Sequence, residues 1–139
     1  MLQVMSQTVP ALLVALAPWL GGAVLAQDAF RFAIMTVAED FAQPMGFDLA
    51  PDGRIFVIEI GGAVTVIDPG RGTRERVAQL DVFAQQENGL LGIALDPAFA
   101  DNGHVFLLYS PADHAGQRIS RFTFAAGKLE LHSEKIVLA

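Results

Sequence analysis

The sequence predicts an all-β chain assembled from repeated four-stranded units, and three observations carry that expectation. Apolar stretches rich in β-branched and aromatic residues are short, and Gly, Pro, Asp or Asn interrupts them too often for ordinary helices. GFDLAPDGRIFVIEI (46–60) lies over GIALDPAFADNGHVFLLYS (92–110), with Gly46 and Gly92, and Pro51 and Pro97, each 46 residues apart. Both copies then continue into two more strand-like segments, AVTVID (63–68) with RERVAQL (74–80), and RISRFTF (118–124) with SEKIVLA (133–139). Four short strands at this period are the pattern of a β-propeller blade. A two-sheet sandwich has similar strands; the 46-residue register favours blades.

Taken in chain order, residues 9–26 (VPALLVALAPWLGGAVLA) contain no charge. Pro18 and Gly21-Gly22 break the stretch, and it ends Val24-x-Ala26, so 1–26 reads as a secretory signal cleaved after Ala26. A membrane anchor is the alternative, but a segment this short and interrupted spans poorly. The n-region carries no Lys or Arg. FRFAIMTVAED (30–40) is expected to add a leading strand. In the second unit Gly103 lies 50 residues after Gly53, so four extra residues within Ala98–Asp101 lengthen that turn. GLLGIAL (89–95) is expected to be an innermost strand facing a central channel, with Leu91, Ile93 and Leu95 on one face.

Composition excludes several classes. Nine Lys+Arg against 15 Asp+Glu leave a net charge of −6 and no basic stripe, which excludes nucleic-acid binding on electrostatic grounds. With no cysteine there is no disulfide, thiolate nucleophile or cysteine-type zinc site. A propeller closes with about four to eight blades. The expectation for 27–139 is therefore the N-terminal part of a larger propeller domain, or a two-blade protomer that closes a ring with other copies.

GFDLAPDGRIFVIEIGGAVTVID, ENGLLGIALDPAFADNGHVFLLYSP, RISRF and SEKIVL together resemble the N-terminal portion of the soluble glucose/sorbosone dehydrogenase family. Its members are quinoprotein aldose sugar dehydrogenases. The resemblance implies a six-bladed propeller, exported to the periplasm or secreted. It further implies pyrroloquinoline quinone (PQQ) held with calcium near the channel, an aldose substrate and an external electron acceptor. Oxidation at C1 would give a lactone, the cofactor supplying the redox chemistry. The family's catalytic histidine follows the SEKIVL-type segment in a His-x-Gly-Gly motif that this chain does not reach. Family members carry glutamine just before Asn-Gly-Leu-Leu-Gly, near quinone and substrate; here that position is Glu87, followed by Asn88. Glu87 and Asn88 are thus the candidate cofactor-binding residues, at the rim of the funnel. Glutamine donates and accepts hydrogen bonds, whereas ionised Glu87 only accepts. The alternative is a solvated loop acid beside an asparagine that fixes a turn.

Other residues read as structural. His104, His114 and His132 read as turn or surface histidines. Glu59, inside an apolar strand, needs water or a partner and is expected to emerge beside Gly61-Gly62; Tyr109 is its counterpart in the second unit. Asp96, Asp101 and Asn102 lack the spacing of a calcium loop and read as turn residues. Arg71, Arg74 and Arg76 belong to a solvated inter-strand loop without a dinucleotide fingerprint. Arg118 and Arg121 lie on opposite faces of one strand. No catalytic metal residues are assigned. Two further readings stand beside the quinoprotein one: a non-catalytic sugar-binding propeller assembled from two-blade chains, and a lactonase-like propeller hydrolase, for which no specific ligand set is present.

Overall fold

A computed structural model describes residues 34–139; the signal segment predicted over 1–26 lies outside the described residues. Eight strands form two antiparallel four-stranded sheets, each in simple sequence order. The first contains β1 (Pro44–Leu49), β2 (Ile55–Glu59), β3 (Ala63–Asp68) and β4 (Thr73–Gln79). The second contains β5 (Leu90–Leu95), β6 (His104–Tyr109), β7 (Arg118–Ala125) and β8 (Lys128–Leu138). These are the two four-strand units that the repeat predicts.

The repeat extends to an irregularity of pairing. In the first sheet the register shifts between Pro44 and Gly46 opposite Glu59 and Ile58. In the second it shifts between Leu90 and Gly92 opposite Tyr109 and Leu108. Met45 and Leu91 are therefore equivalent bulge residues, and Gly46 and Gly92 resume the ladder after each bulge.

The core lies where the two sheets face each other. Phe56, Ile58, Val64 and Val66 of the first sheet join Leu90, Val105, Leu107 and Phe122 of the second in one buried cluster. Alternation explains the selection: Phe56 pairs with Val66 and Ile58 with Val64, so all four point to one face. In the second sheet Val105 pairs with Phe122 and Leu107 with Ser120 in the same way. The first strands of the two sheets, β1 and β5, are joined by the Asp48 carboxylate, which accepts the Leu95 N–H at 2.7 Å. Leu91, Ile93 and Leu95 of β5 are half-buried, and Ile93 and Leu95 pack against the core.

Two sequence expectations need correction. Within the described part of the leader, residues 34–40 form no strand, and the first strand begins at Pro44. Asp40 adopts φ +60°, which breaks an extended path. Arg74 instead binds this segment by its backbone, donating to Glu39 O (2.6 Å) and Asp40 O (3.0 Å), with its guanidinium 4.0 Å from the Phe41 ring centroid. Arg74 thus clasps this segment from an exposed position on β4. The second difference is that the extra residues after Pro97 are more than a longer turn. They form a helical turn, α1 (Phe99–Asn102), closed by Gly103 in the left-handed region. The turn delivers Phe99 to the core, where its ring meets Phe56 edge-on at 5.4 Å. Asp96 and Asn102 do serve the turn, accepting from the N–H groups of Ala98 and His104.

Candidate functional site

One end of the two sheets collects the close of β2, the loop before β5, and the loop between β6 and β7. Glu59 closes β2 and is buried; its carboxylate accepts the Ala42 N–H. It does not emerge to solvent, but its structural role holds, because it ties the chain preceding β1 to the end of β2. Ile60 N–H donates to Gln43 O at 3.0 Å beside it. The Ile60 carbonyl then accepts the Leu90 N–H at 2.9 Å, so the rim of the first sheet holds the start of the second.

Gly89 makes that contact possible. It sits at φ +140°, and a Cβ there would lie 2.4 Å from Ile60 O. The preceding Asn88 is fixed on three sides. Its N–H and its Nδ2 both donate to Gln85 O, and its Oδ1 accepts from the Ser110 hydroxyl at 3.1 Å. Glu87, the other sequence candidate, is exposed and has no hydrogen-bond or ion-pair partner among the described residues. The structure therefore places the two candidates side by side at the rim but in different states: Asn88 anchors the loop, and Glu87 projects a free acceptor.

Residues distant in sequence join them. Val82 bridges to Pro111, and Phe83 N–H donates to Ser110 O at 2.9 Å, drawing the two loops together. An open recess of about 500 Å³ results, lined among others by Phe83, Asn88, Ser110, Asp113 and His114. His114 is an exposed loop residue as expected, yet it shares this recess with Asn88. No local pattern announces that neighbourhood, because it depends on a single long-range bridge. His104 and His132 lie elsewhere, at the start of β6 and on β8.

A second polar group lies beside the recess. The Glu134 carboxylate of β8 accepts from the Tyr109 hydroxyl and, at 2.6 Å, from the Ser120 hydroxyl. Arg118 Nη1 approaches the same oxygen at 3.8 Å. Burial, followed by the hydrogen bond to Glu134, raises the Tyr109 pKa above the ordinary tyrosine value. Arg118 Nε is the single buried side-chain nitrogen or oxygen without a partner among the described residues. Arg118 stands opposite Tyr109, and Arg121 stands opposite Phe106 on the other face, as strand alternation requires.

Another open recess, about 550 Å³, is at the opposite end, around Arg54 and α1. There Arg54 is paired with Asp52 at 2.7 Å and lies over Phe124. Its one cation is already paired, so we place the candidate site at the Glu87 end.

Among the described residues, no three of His, Asp and Glu are grouped to hold a metal ion, and no helix is long and apolar enough to cross a membrane. PQQ carries three carboxylates and calls for cationic partners. Of the two candidates only Asn88 lines the recess at the rim, with Asp113 and His114, while Glu87 is exposed beside it in sequence and Arg118 is drawn toward Glu134. The described rim does not fit the quinone by itself; it fits a hydroxyl donor.

Residues 41–139 match the family model described as glucose/sorbosone dehydrogenase. An uncharacterized protein of Synechocystis sp. is 31% identical over 104 residues, covering 67% of this chain and 25% of that protein. The PQQ-bound aldose sugar dehydrogenase of Streptomyces coelicolor superposes with a TM-score of 0.68 at 26% identity, over 76% of this chain and 32% of that one. A putative oxidoreductase (glucose dehydrogenase) of Thermus thermophilus gives 0.62 at 26% identity, over 69% and 28%. This chain thus spans about a quarter to a third of the length of these relatives.

Proposed function

This chain belongs to the glucose/sorbosone dehydrogenase family, and from that premise we propose that it is the N-terminal sector of an exported quinoprotein oxidoreductase that oxidises aldoses at C1 to lactones. The observation that supports this reading is the rim: Glu87-Asn88 lie just before β5, at the position where the resemblance implies a polar pair near quinone and substrate. PQQ, when bound with calcium, supplies the two-electron acceptor chemistry. Its cationic contacts and the base come from sectors beyond those matched here, so this chain by itself is inactive.

The chain's own contribution is to orient the sugar. Asn88, held by Gln85 and Ser110, fixes the loop. Glu87 accepts a hydrogen bond from a sugar hydroxyl, for which an acceptor-only group suffices. The test joins residues 41–139 to the remaining sectors of the Streptomyces coelicolor enzyme and supplies PQQ, calcium, an aldose and a dye acceptor. Dye reduction is expected, with Glu87→Ala raising KM more than it lowers kcat. A folded chimera without turnover would refute the assignment, as would turnover by the 139-residue chain alone.

A second reading has one observation in its favour. Phe47 (66% exposed), Leu49 (58%) and Val137 (59%) leave apolar strand surface uncovered among the described residues. A non-catalytic sugar-binding ring assembled from several copies would cover it. Light scattering that gives a defined closed oligomer, together with sugar binding without PQQ, would select that reading.

A further inference from the structure

The recess at the rim holds one large apolar side chain that the core does not use. Phe83 lines it with 45% of its surface exposed, and its ring has no place in the buried cluster that joins the two sheets. We propose that this recess is a subsite for one sugar ring and that Phe83 is its platform, carrying the C–H face of a pyranose next to Asn88. The proposal rests on the aldose reading of the rim for its class of ligand, and it adds where the ring sits and which side chain selects it.

The backbone of this platform is held while its ring stays open. Phe83 N–H donates to Ser110 O at 2.9 Å, and the Val82–Pro111 bridge fixes the residue before it. A flat ring on a held backbone loses little freedom when a ligand covers it. The other side chains that a ligand can reach here are polar: Asn88 is half-buried, and Asp113 and His114 are exposed. Asn88 uses one amide N–H on Gln85 O and accepts once, from the Ser110 hydroxyl. One amide donor and one acceptor lone pair remain to it.

These groups select the ligand. Among the described residues no Lys or Arg lines the recess, and Asp113 sets a carboxylate there, so an anion meets repulsion without a partner. A wholly apolar ligand would cover Phe83 but strand the remaining Asn88 donor and acceptor. A pyranose satisfies both demands. Its C–H face lies on the Phe83 ring, and the hydroxyls at its edge both donate and accept, as Asn88, Asp113 and His114 require. The volume of about 500 Å³ falls within the roughly 300–1,000 Å³ of small-molecule sites and admits one ring with its bridging waters.

Phe83 lines this recess and not the neighbouring one at Arg118, so the test rests on it. The probe is methyl α-glucoside, whose blocked anomeric oxygen prevents oxidation at C1. Binding is measured without PQQ on the full chain by saturation-transfer NMR, with far-UV circular dichroism to verify the fold; if the chain alone does not fold, the chimera replaces it. Saturable binding is expected, with transfer from aromatic protons to the sugar C–H protons. Phe83→Ala should weaken it about tenfold, and Phe83→Trp should keep it within about twofold. Phe83→Leu, which keeps apolar bulk but loses the flat face, should weaken it severalfold and carries the test if Phe83→Ala does not fold. His132→Ala, on β8, should leave it unchanged. Three results would overturn the proposal: no saturable binding by folded protein, wild-type affinity in Phe83→Ala or Phe83→Leu, or displacement of the glucoside by tetramethylammonium, which marks a cation site. A chimera that binds through Phe83 without turnover refutes the oxidation alone, and one that turns over without dependence on Phe83 refutes the subsite alone.

Discussion

Replacing Gly89 by alanine tests the joint between the two sheets most directly. Gly89 occupies φ +140°, and its added Cβ would fall 2.4 Å from Ile60 O and 2.7 Å from Ile60 Cγ1. Gly116 has a similar backbone, φ +107°, but nothing within 4 Å of the added atom. Both substitutions incur the conformational cost of an L-residue in a sparsely populated region, about 1–3 kcal/mol. Only Gly89→Ala must also push the sheets apart. Doing so breaks the 2.9 Å bond from Leu90 N–H to Ile60 O and leaves a fully buried residue's N–H unpaired. That adds about 1–3 kcal/mol. With a urea m-value of about 1–3 kcal/mol/M, the midpoint for Gly89→Ala should lie on the order of 1 M below that for Gly116→Ala. Urea titration followed by far-UV circular dichroism measures both. Equal midpoints would show that the Ile60–Leu90 contact does not join the sheets as described.

Phe99→Ala should cost about 3–5 kcal/mol in the same assay, since a buried phenyl is removed and the neighbours are rings that collapse poorly; a cost below about 1 kcal/mol would remove α1 from the core. Tyr109 is the chain's one tyrosine, so phenolate absorbance reports it alone. It should titrate above the free value of about 10, and Glu134→Gln should lower that pKa without abolishing the shift, because burial is the larger cause. The sign follows for stability: the raised folded pKa leaves this contribution intact below the unfolded pKa and removes it as pH rises through the folded one. Tyr109→Phe should flatten that alkaline decline, and an unshifted titration would contradict the buried geometry. N-terminal sequencing of the exported protein should begin at Gln27; retention of Met1 after export would reject the signal assignment.

How much of this was legible in the sequence depends on the range over which each feature is determined. The eight strands follow from local patterning, and the repeat, whose offset grows from 46 to 50 residues across the insertion, anticipates even the equivalence of Glu59 and Tyr109, which each pair beside a bulge. The four-residue excess was visible as a length, but its content was not. Phe99 reads as a loop residue until the facing sheet supplies Phe56 as a partner. The leader failed for a related reason: its apolar residues suggest a strand, whereas a positive φ at Asp40 and the clasp from Arg74, 34 residues away, hold it as irregular chain. At the candidate site, Asn88 and Gly89 were locally marked, but Ser110, His114 and the Arg118–Glu134 group were not. Each reaches its place through a pairing between loops or strands that no spacing rule contains. The polar pair at the start of β5 is therefore best understood as two functions in adjacent residues. Asn88 and Gly89 fasten one sheet to the next, and Glu87 stands exposed beside them, without a partner among the described residues.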